Sequence, residues 1–371
     1  MSKKYQAAII GHTGKGDFGH DLDKIFKGLS EVETIAIIDL NPRGLERKEK
    51  FFPDANFYTK IEDAFTNHDI NLLAICQRDV SLRINIFRAC SGKSVKGIIC
   101  EKPLASNTKE AREIIEICNH SNIDLAVAHR RANPYESYAK KMIDEGRIGE
   151  IITIKSRGKC DHRSGGEDLA VLGIHMMDSM RYMAGCEVQS VYAKILEKKK
   201  EIKHNDVRQG KEGIGLIAGD SIFANYLFEN GVMGMFESYP IKTTTQKHSS
   251  FFGFEVYGTK GIVCVRNSPI GEMYLLEDCV WMADESEKKW QKIKIKEWDN
   301  IPLNERTISS NKIIVNALLK KIESGVSDPN VSWGFDALQA TEMIGATIQS
   351  ATTKKEVNLP LNELENPYLH W

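Results

Sequence analysis

The first third of the chain alternates between short apolar runs and segments in which apolar residues have helical spacing. YQAAII (5–10) predicts a buried strand, and a glycine-rich stretch, GHTGKGDFG (11–19), follows it directly. A helical pattern comes next, and TIAIIDL (34–40) then predicts a second strand that ends near Asp39. This order of strand, glycine turn, helix and strand is typical of a nucleotide-binding half-domain.

The same alternation continues beyond the second strand. Three more strands are predicted, in NLLAIC (71–76), VKGIIC (95–100) and IDLAVA (123–128), and the segments between them predict helices, one of them capped by Asn107. Strands that alternate with helices predict a parallel, doubly wound sheet with helices on both faces. Ligands bind such sheets at the carboxyl ends of the strands, close to Lys102.

The later part of the chain has a different pattern. EDLAVLGIHMMDSMRYMAG (167–185) has the spacing of one amphipathic helix, with a capping-box spacing of Ser164 and Glu167 and a suitable stop at Gly185. Apolar runs joined by ENG (229–231) and GTKG (258–261) predict antiparallel hairpins with one covered and one open face.

Length and composition limit the classes of protein that fit. At 371 residues the chain exceeds one ordinary core, so we predict two domains. The 50 Lys and Arg balance 51 Asp and Glu, which gives no electrostatic reason to expect nucleic acid or a membrane surface as a partner. No window has the apolar length of a membrane span, and the first residues lack the features of a signal peptide.

Eight cysteines occur without a CxxC pair or a metal-ligand spacing. Reduced thiols in the cytoplasm are the natural interpretation of this pattern, and no metal site is predicted.

The glycine-rich stretch predicts a dinucleotide site. Gly14, Gly16 and Gly19 form a G-x-G-x-x-G pattern, and Gly11 stands where the first glycine normally follows the strand, so the loop is a lengthened variant. Glycines let the backbone approach a pyrophosphate, and a helix N-terminus would face its charge. No Walker A loop is present, because Lys15 is followed by glycine and not by Ser or Thr.

Asp39 lies at the end of the second strand, where an acidic side chain can accept hydrogen bonds from the adenosine ribose. It could instead be a turn residue before Asn41-Pro42. Arg43 is close enough to accommodate a 2′-phosphate, so NAD is preferred and NADP is possible.

Several segments together resemble the glucose-fructose oxidoreductase / inositol dehydrogenase / rhizopine-catabolism (Gfo/Idh/MocA) family. They are the glycine loop with Asp39, CEKPLA, HRRANPYESYAKKMIDEGRIGEI, LGIHMMD, FFGFEVYGTKGIVCV and GFDALQATEMIGATIQSATTKKEVNLP, of which E-K-P is the most specific. The resemblance implies a Rossmann domain, here over 1–130, and a second α/β domain, here over 131–371. The second domain is expected to have a large, mostly antiparallel, open-faced sheet, through which members commonly form homodimers or homotetramers. It also implies NAD(P)-dependent chemistry on a hydroxyl or ketone of a sugar or cyclic polyol.

Lys102, in E-K-P, is the candidate acid or base. Hydride transfer from a secondary alcohol needs a group that takes the hydroxyl proton, and a cationic nicotinamide nearby would disfavour the ammonium form of this lysine. A surface lysine in a Lys-Pro turn is the alternative. In the resembled family this bond to proline, here Pro103, is often cis, and Glu101 and Lys102 are also expected to contact the cofactor.

His175 matches, in the resembled family, a histidine that hydrogen-bonds the reacting hydroxyl. Many of those dehydrogenases carry an aspartate four residues earlier, but this chain has Val171, which can neither orient a histidine nor relay a proton. Asp178, one turn later, is predicted to orient His175 at the substrate site. A core histidine on a methionine-rich helix is the alternative.

Other polar side chains are candidates for substrate contact. Arg157 and His162 precede the His175 helix in a charged segment that suits a polyhydroxylated or acidic substrate, and His129 and Arg130 follow the fifth strand, near the nicotinamide or substrate. Each could equally be a solvated loop residue.

Three functions remain open from the sequence. The first is an NAD(P)-dependent oxidoreductase acting on a ring hydroxyl or ketone of a sugar, glycoside or cyclic polyol, with Lys102 moving the proton and His175 holding the oxygen. The second is a lyase or glycosidase that oxidises its substrate transiently with bound NAD. The third is a non-catalytic sugar or nucleotide sensor.

Overall fold

The computed structural model describes residues 4–241, 252–267, 271–279 and 287–371. The chain divides into two compact units. The first unit comprises Met1–Ala132, Lys211–Gly215 and Asn304–Leu338, and the second unit comprises Asn133–Gly210, Leu216–Leu303 and Gln339–Trp371. Phe251, at the start of FFGFEVYGTKGIVCV, lies outside the described residues.

A parallel sheet of six strands organises the first unit. Its strands are β1 (Tyr5–Gly11), β2 (Val32–Asp39), β3 (Asn56–Tyr58), β4 (Leu72–Ile75), β5 (Gly97–Cys100) and β6 (Asp124–Val127). They lie in the order β3-β2-β1-β4-β5-β6, which is the order of a dinucleotide-binding Rossmann sheet. The five predicted strands are confirmed, and the short edge strand β3 was missed because NFY is too brief to give a periodic signal.

Helices cover both faces of this sheet. They are α1 (Pro42–Glu49), α2 (Ile61–Asn67), α3 (Arg83–Cys90) and α4 (Thr108–His120). Asn107 caps α4 as predicted, since its side chain accepts a hydrogen bond from the backbone N–H of Glu110 at 2.9 Å. Successive side chains of each strand point to opposite faces of the sheet and so contribute to two cores. Ile10 and Ile38 lie in one core, and Ile9 and Ile37 lie in the other.

A late segment of the chain also belongs to the first unit. Helix α9 (Arg306–Ser324) buries Ile314, Val315 and Leu318 in the same core as Ile9 and contacts β5 and β6. Residues 304–338 and 211–215 therefore lie with the Rossmann sheet, whereas the sequence placed everything after 130 in the second domain. Apolar spacing marks α9 as amphipathic but does not say which sheet it covers.

A large sheet organises the second unit. Its strands are β7 (Ile151–Arg157), β8 (Val188–Glu197), β9 (Lys200–Glu201), β12 (Ser221–Phe228), β13 (Met233–Ser238), β14 (Gly253–Gly258), β15 (Ile262–Arg266), β16 (Glu272–Leu276), β17 (Gln291–Ile293) and β18 (Val357–Asn358). Neighbouring strands are antiparallel except β7 and β13, and both predicted hairpins are confirmed, β12 with β13 and β14 with β15. The expected large, mostly antiparallel sheet is present. Strands β10 (Arg208–Gln209) and β11 (Leu216–Ile217) form a separate pair.

The second unit also contains α5 (Pro134–Asp144), α6 (Gly166–Asp168), α7 (Ile174–Ala184) and α8 (Lys296–Asp299), and α10 (Gly334–Thr353) begins in the first unit and ends in the second. Helix α7 contacts β7 and β14, so one face of the sheet is covered. Among the described helices, none is long and apolar enough to span a membrane.

Candidate active site

The carboxyl ends of the parallel strands bring the predicted cofactor residues to one edge of the first unit. The loop after β1 is closed by a bridge between His12 and Asp17. Gly16 has φ +83°, and a Cβ there would lie 2.6 Å from the backbone nitrogens of Arg78 and Asp79. The loop therefore requires glycine at this position, both for its left-handed backbone and for its close packing against the turn after β4.

Asp39 is fully buried at the end of β2 and receives hydrogen bonds from the glycine loop. Its Oδ1 accepts from the backbone N–H groups of Thr13 and Asn41, each at 2.9 Å, and its Oδ2 accepts from the Thr13 hydroxyl at 2.5 Å. An ionised carboxylate has about four acceptor positions, so one remains for a further donor. Arg43, in the first turn of α1, is exposed.

The segment after the glycine loop differs from the α-helix that the sequence predicted. Gly19–Lys24 forms a 3₁₀ helix in which His20 and Asp21 have φ of 50° and 59°. A left-handed backbone cannot continue an α-helix, so no α-helix N-terminus begins at the loop. Tertiary contacts explain the departure, because the His20 carbonyl accepts a hydrogen bond from Asn311 of α9 at 2.8 Å.

A buried polar atom at the same edge fits a bound dinucleotide. The side-chain oxygen of Gln77, just beyond β4, is buried and has no hydrogen-bond partner among the described residues. A buried acceptor of this kind is costly unless a ligand supplies a donor. A ribose hydroxyl or a carboxamide would supply it, so Gln77 and the glycine loop could hold NAD.

The E-K-P turn after β5 is fixed by a buried arginine. Arg83, from α3, is completely buried, and its guanidinium donates to the backbone carbonyls of Glu101 (2.9 Å), Pro103 and Gln77. The Lys102–Pro103 peptide bond is cis, and Lys102 is 4% exposed. Lys102 is therefore not the surface lysine of the alternative interpretation.

Glu101 is an ionised carboxylate in this buried turn. Its Oε1 is hydrogen-bonded to Nδ1 of His20, and its Oε2 accepts the backbone N–H of Lys102 at 2.6 Å. Burial raises its pKa, but His20, Lys102 and Arg83 outweigh burial and hold the pKa at about 2. The turn thus concentrates one negative charge among several cationic groups.

The residues after β6 also reach the carboxyl edge. His129 is buried and its backbone N–H donates to the Val127 carbonyl at 2.7 Å, whereas Arg130 is partly exposed. The neighbouring Arg131 pairs with Asp336 at 3.1 Å, and this ion pair lies within the first unit.

In the second unit, a buried aspartate holds the loop that precedes the His175 helix. Asp168 accepts hydrogen bonds from the backbone N–H groups of Lys159 (3.2 Å) and Cys160 (2.9 Å) and from the Ser238 hydroxyl (2.6 Å). Ser238 in turn accepts the N–H of Gly165 at 3.0 Å, so both ends of the loop are tied. Burial raises the pKa of Asp168 despite these donors.

The helix that carries His175 is interrupted. Helix α6 begins after Gly165 without a side-chain cap, so the Ser164–Glu167 capping box is not formed. A π-helical segment, Leu169–Gly173, then leads into α7, which ends at Gly185 with φ +74° as predicted. Such π-segments occur frequently at functional sites, and this one contains Val171.

His175 and its predicted partners lie on this helix. His175 is 6% exposed, and its ring centroid lies 6.3 Å from that of Phe252. Val171 is buried, as is Asp178, which lies 4.0 Å from Arg181. The residue four positions before His175 is therefore a buried valine, where many dehydrogenases of the resembled family carry an aspartate.

His162 is strongly exposed in the loop held by Asp168, with its Nδ1 3.7 Å from Asp161. Asp161 is also bonded to Arg163. Burial raises the pKa of Asp161, but Arg163 and Lys159 outweigh it and hold the pKa at about 2. The loop is thus internally ion-paired and presents His162 outward.

The sequence placed Arg157 in the loop before the His175 helix, and this placement is corrected. Arg157 is the last residue of β7 and pairs with Glu237 of β13. Its neighbour Ser156 contacts Met180 of α7, and successive side chains of a strand point to opposite faces. Arg157 therefore lies on the open face of the sheet, away from α7.

Sequence reasoning missed Arg83, Gln77, Thr13 and His20. Arg83 stands between two apolar residues in SLRINIFRAC, and this was the one available signal, since buried arginines are rare unless bonded. The other three depend on contacts between distant segments, which spacing does not reveal.

Two family models together match most of the chain. Residues 5–129 match an oxidoreductase family with an NAD-binding Rossmann fold, and residues 140–359 match the C-terminal alpha/beta domain of the same family. The chain belongs to the Gfo/Idh/MocA oxidoreductase family. The predicted family and fold class, the NAD cofactor and the assignment to oxidoreductases are thereby confirmed.

Individual relatives are more distant. The chain is 27% identical over 280 residues to an uncharacterized oxidoreductase of Bacillus subtilis, covering 72% of this chain and 75% of that protein. It is 30% identical over 196 residues to an inositol 2-dehydrogenase of Rhizobium meliloti, covering 50% of this chain and 57% of that protein.

Among solved structures, levoglucosan dehydrogenase in complex with NADH and levoglucosan has a TM-score of 0.73 with 21% identity, covering 96% of this chain and 99% of that chain. This likeness establishes the fold.

Proposed function

We propose that this member of the family transfers a hydride between the nicotinamide of NAD and a ring hydroxyl or ketone of a sugar, glycoside or cyclic polyol. When bound, NAD supplies the hydride acceptor or donor. The relatives named inositol 2-dehydrogenase and levoglucosan dehydrogenase support this substrate class.

The proposal is supported most directly by the position of Lys102. It is buried at the carboxyl end of β5, in a turn that Arg83 holds through three backbone carbonyls. The amine of a lysine can accept and return a proton, and lysines act as general acids and bases in active sites. Lys102 would take the hydroxyl proton during oxidation and return it during reduction.

The second unit would supply the substrate-binding groups. We propose that His175 holds the substrate oxygen and that Asp178 orients it. The loop containing His162 is fixed by Asp168 and Ser238 before any ligand arrives, and a fixed loop loses little entropy on binding. His129 and Arg130, at the end of β6, are proposed contacts to the nicotinamide or substrate.

NAD is the proposed cofactor in preference to NADP. Asp39 accepts three hydrogen bonds, two from Thr13 of the glycine loop and one from Asn41, which leaves one acceptor position for the adenosine ribose. A 2′-phosphate would instead place its negative charge beside this buried carboxyl group. Arg43 is near enough in sequence to keep NADP possible.

The test is production of reduced nicotinamide by the purified protein. NAD and NADP are supplied separately with a panel of sugars, glycosides and inositols, and the absorbance band of the reduced ring is followed. We expect NAD reduction with at least one cyclic polyol or sugar. Cofactor binding without any net reduction, combined with elimination or hydrolysis of a glycoside, would instead establish a transiently oxidising lyase or glycosidase; binding without any turnover would indicate a sensor.

The open face of the large sheet is proposed as a homo-oligomer interface. Apolar side chains that are each 43–45% exposed lie on β8, β12 and β13; they are Tyr192, Phe223, Met233 and Met235. Phe223 and Met235 also line a depression of about 520 Å³ that contains both charges of the Arg157–Glu237 pair. Exposed apolar side chains on one sheet face are common at interaction sites, and mixed charges allow a self-complementary contact.

Met235→Glu is expected to dissociate such an assembly, because it would bury a charge at the interface. Light scattering after size-exclusion chromatography measures the mass of the variant and of the unmodified protein. Phe51→Glu, a similar change at a residue that is 65% exposed in the first unit, serves as the control and should leave the mass unchanged. A monomeric unmodified protein would contradict the proposal.

A cytoplasmic location remains a proposal. All eight cysteines lie within the described residues and all are free thiols, five of them buried. This state is typical of proteins kept in a reducing compartment.

A further inference from the structure

The imidazole of His20 contacts the E-K-P turn from the loop after β1. Its Nδ1 is hydrogen-bonded to Oε1 of Glu101, whose other oxygen accepts the backbone N–H of Lys102 at 2.6 Å. The side chain of His20 is 47% exposed, whereas that of Glu101 is 1% exposed. The carboxylate therefore connects a solvent-accessible imidazole to the backbone of the proposed proton acceptor.

The backbone holds His20 in this orientation. Its φ and ψ are 50° and 38°, a left-handed conformation that few non-glycine residues adopt. Gly19 donates its N–H to the Cys76 carbonyl at 2.8 Å, and the His20 carbonyl accepts from Asn311 at 2.8 Å. Strained residues of this kind cluster at functional sites, where the surrounding structure over-determines them.

We propose that His20 is a positioning residue that acts on Lys102 through Glu101. The inference rests on the proposed role of Lys102. By donating to Oε1, His20 fixes the carboxylate so that Oε2 holds the Lys102 N–H. A proton on His20 and a proton on Lys102 are both stabilised by the single buried negative charge of Glu101. Protonation of either residue therefore makes protonation of the other less favourable.

The imidazole of His20 faces Glu101, and the other charged groups close to it are paired with other residues. Within the same 3₁₀ segment, Asp21 pairs with Lys24 at 2.6 Å and Asp23 pairs with Lys48 of α1. Helix α9 presents the neutral Asn311. At the end of β4, burial raises the pKa of the Cys76 thiol well above its ordinary value, so that side chain is neutral, and at the end of β5 Arg83 and Lys102 lie beside Glu101.

His20→Asn separates the hydrogen bond from the charge. The Asn amide nitrogen replaces Nδ1 as a donor, and asparagine tolerates the left-handed backbone better than most residues, but it carries no titratable proton. His20→Ala removes the donor as well. Comparing the two variants distinguishes loss of the contact from loss of the charge.

The first readout is the backbone amide resonance of Lys102 in protein labelled with ¹⁵N-lysine, without cofactor or substrate. Its signal is assigned by its absence in Lys102→Arg and followed from about pH 5 to about pH 9, the range in which imidazole groups exchange their proton. We expect the Lys102 amide to shift with pH in the unmodified protein and to stay constant in His20→Asn. Lys96, just before β5, is the internal reference and should not follow His20.

A Lys102 amide that is constant across this range in the unmodified protein, or that titrates identically in His20→Asn, would overturn the proposal. This readout needs no turnover. A protein without dehydrogenase activity would refute the proposed function, while the amide titration would still decide the role of His20.

The second readout is kcat at a pH near 8. We expect His20→Asn to stay within about threefold of the unmodified enzyme and His20→Ala to lose at least about tenfold, as for loss of a hydrogen bond to a charged group. On the acid side, His20→Asn should lose an inflection of the pH–rate profile. Equal losses in both variants would contradict the positioning role.

Discussion

Replacing Lys102 by methionine is expected to lower kcat by about 10²–10⁴-fold, the usual contribution of a positioned acid or base. Methionine has a similar length and fits the buried position of Lys102, so the fold should persist. The measurement is the steady-state rate of nicotinamide reduction with the substrate identified in the panel, together with the dissociation constant for NAD.

Lys96 provides the matched control, because it is an exposed lysine that directly precedes the same strand. Lys96→Met should leave kcat within about twofold, as is usual for surface substitutions. If Lys102→Met retained full kcat with a raised KM, Lys102 would bind substrate and another group would move the proton.

Arg83→Met is expected to give the largest loss of stability, about 3 kcal/mol in the free energy of unfolding. Hydrogen bonds from a charged donor contribute about 1.5–3 kcal/mol each, and the substitution leaves three backbone carbonyls without their donor. Part of this loss is offset because a buried charge no longer has to be desolvated. Urea titration followed by circular dichroism measures the difference.

Arg88→Met tests the same helix without the buried contacts. Arg88 lies near the end of α3 with a side chain that is 55% exposed and pairs with Glu113, so its replacement should cost less than about 1 kcal/mol. An Arg83→Met variant as stable as Arg88→Met would show that the guanidinium does not hold the E-K-P turn.

Much of the fold could be predicted from the sequence. Buried strands at YQAAII and VKGIIC, the Asn107 cap and the two hairpins depend on local periodicity and turn residues, which contacts elsewhere did not override. The E-K-P and His175 segments also identified the family, because these motifs are specific enough to be recognised without coordinates.

Local pattern failed where a distant segment decides the conformation. The stretch after the glycine loop has helical spacing, but it forms a 3₁₀ turn because His20 is hydrogen-bonded to Glu101 and Asn311. Likewise α9 is amphipathic by sequence, yet only packing assigns it to the Rossmann sheet. Arg157 was assigned to a loop, but it is the last residue of β7, and strand alternation turns its side chain to the open face.

The sequence by itself determined the architecture of the two units, the cofactor class and the lysine and histidine on which the proposed chemistry depends. The tertiary structure alone decided how those groups are held: Arg83 across three carbonyls, Asp168 across a loop, and His20 against Glu101. The physical reason is that periodicity and turn chemistry act over a few residues. The hydrogen bonds of a buried polar group, in contrast, join segments that are far apart in the chain.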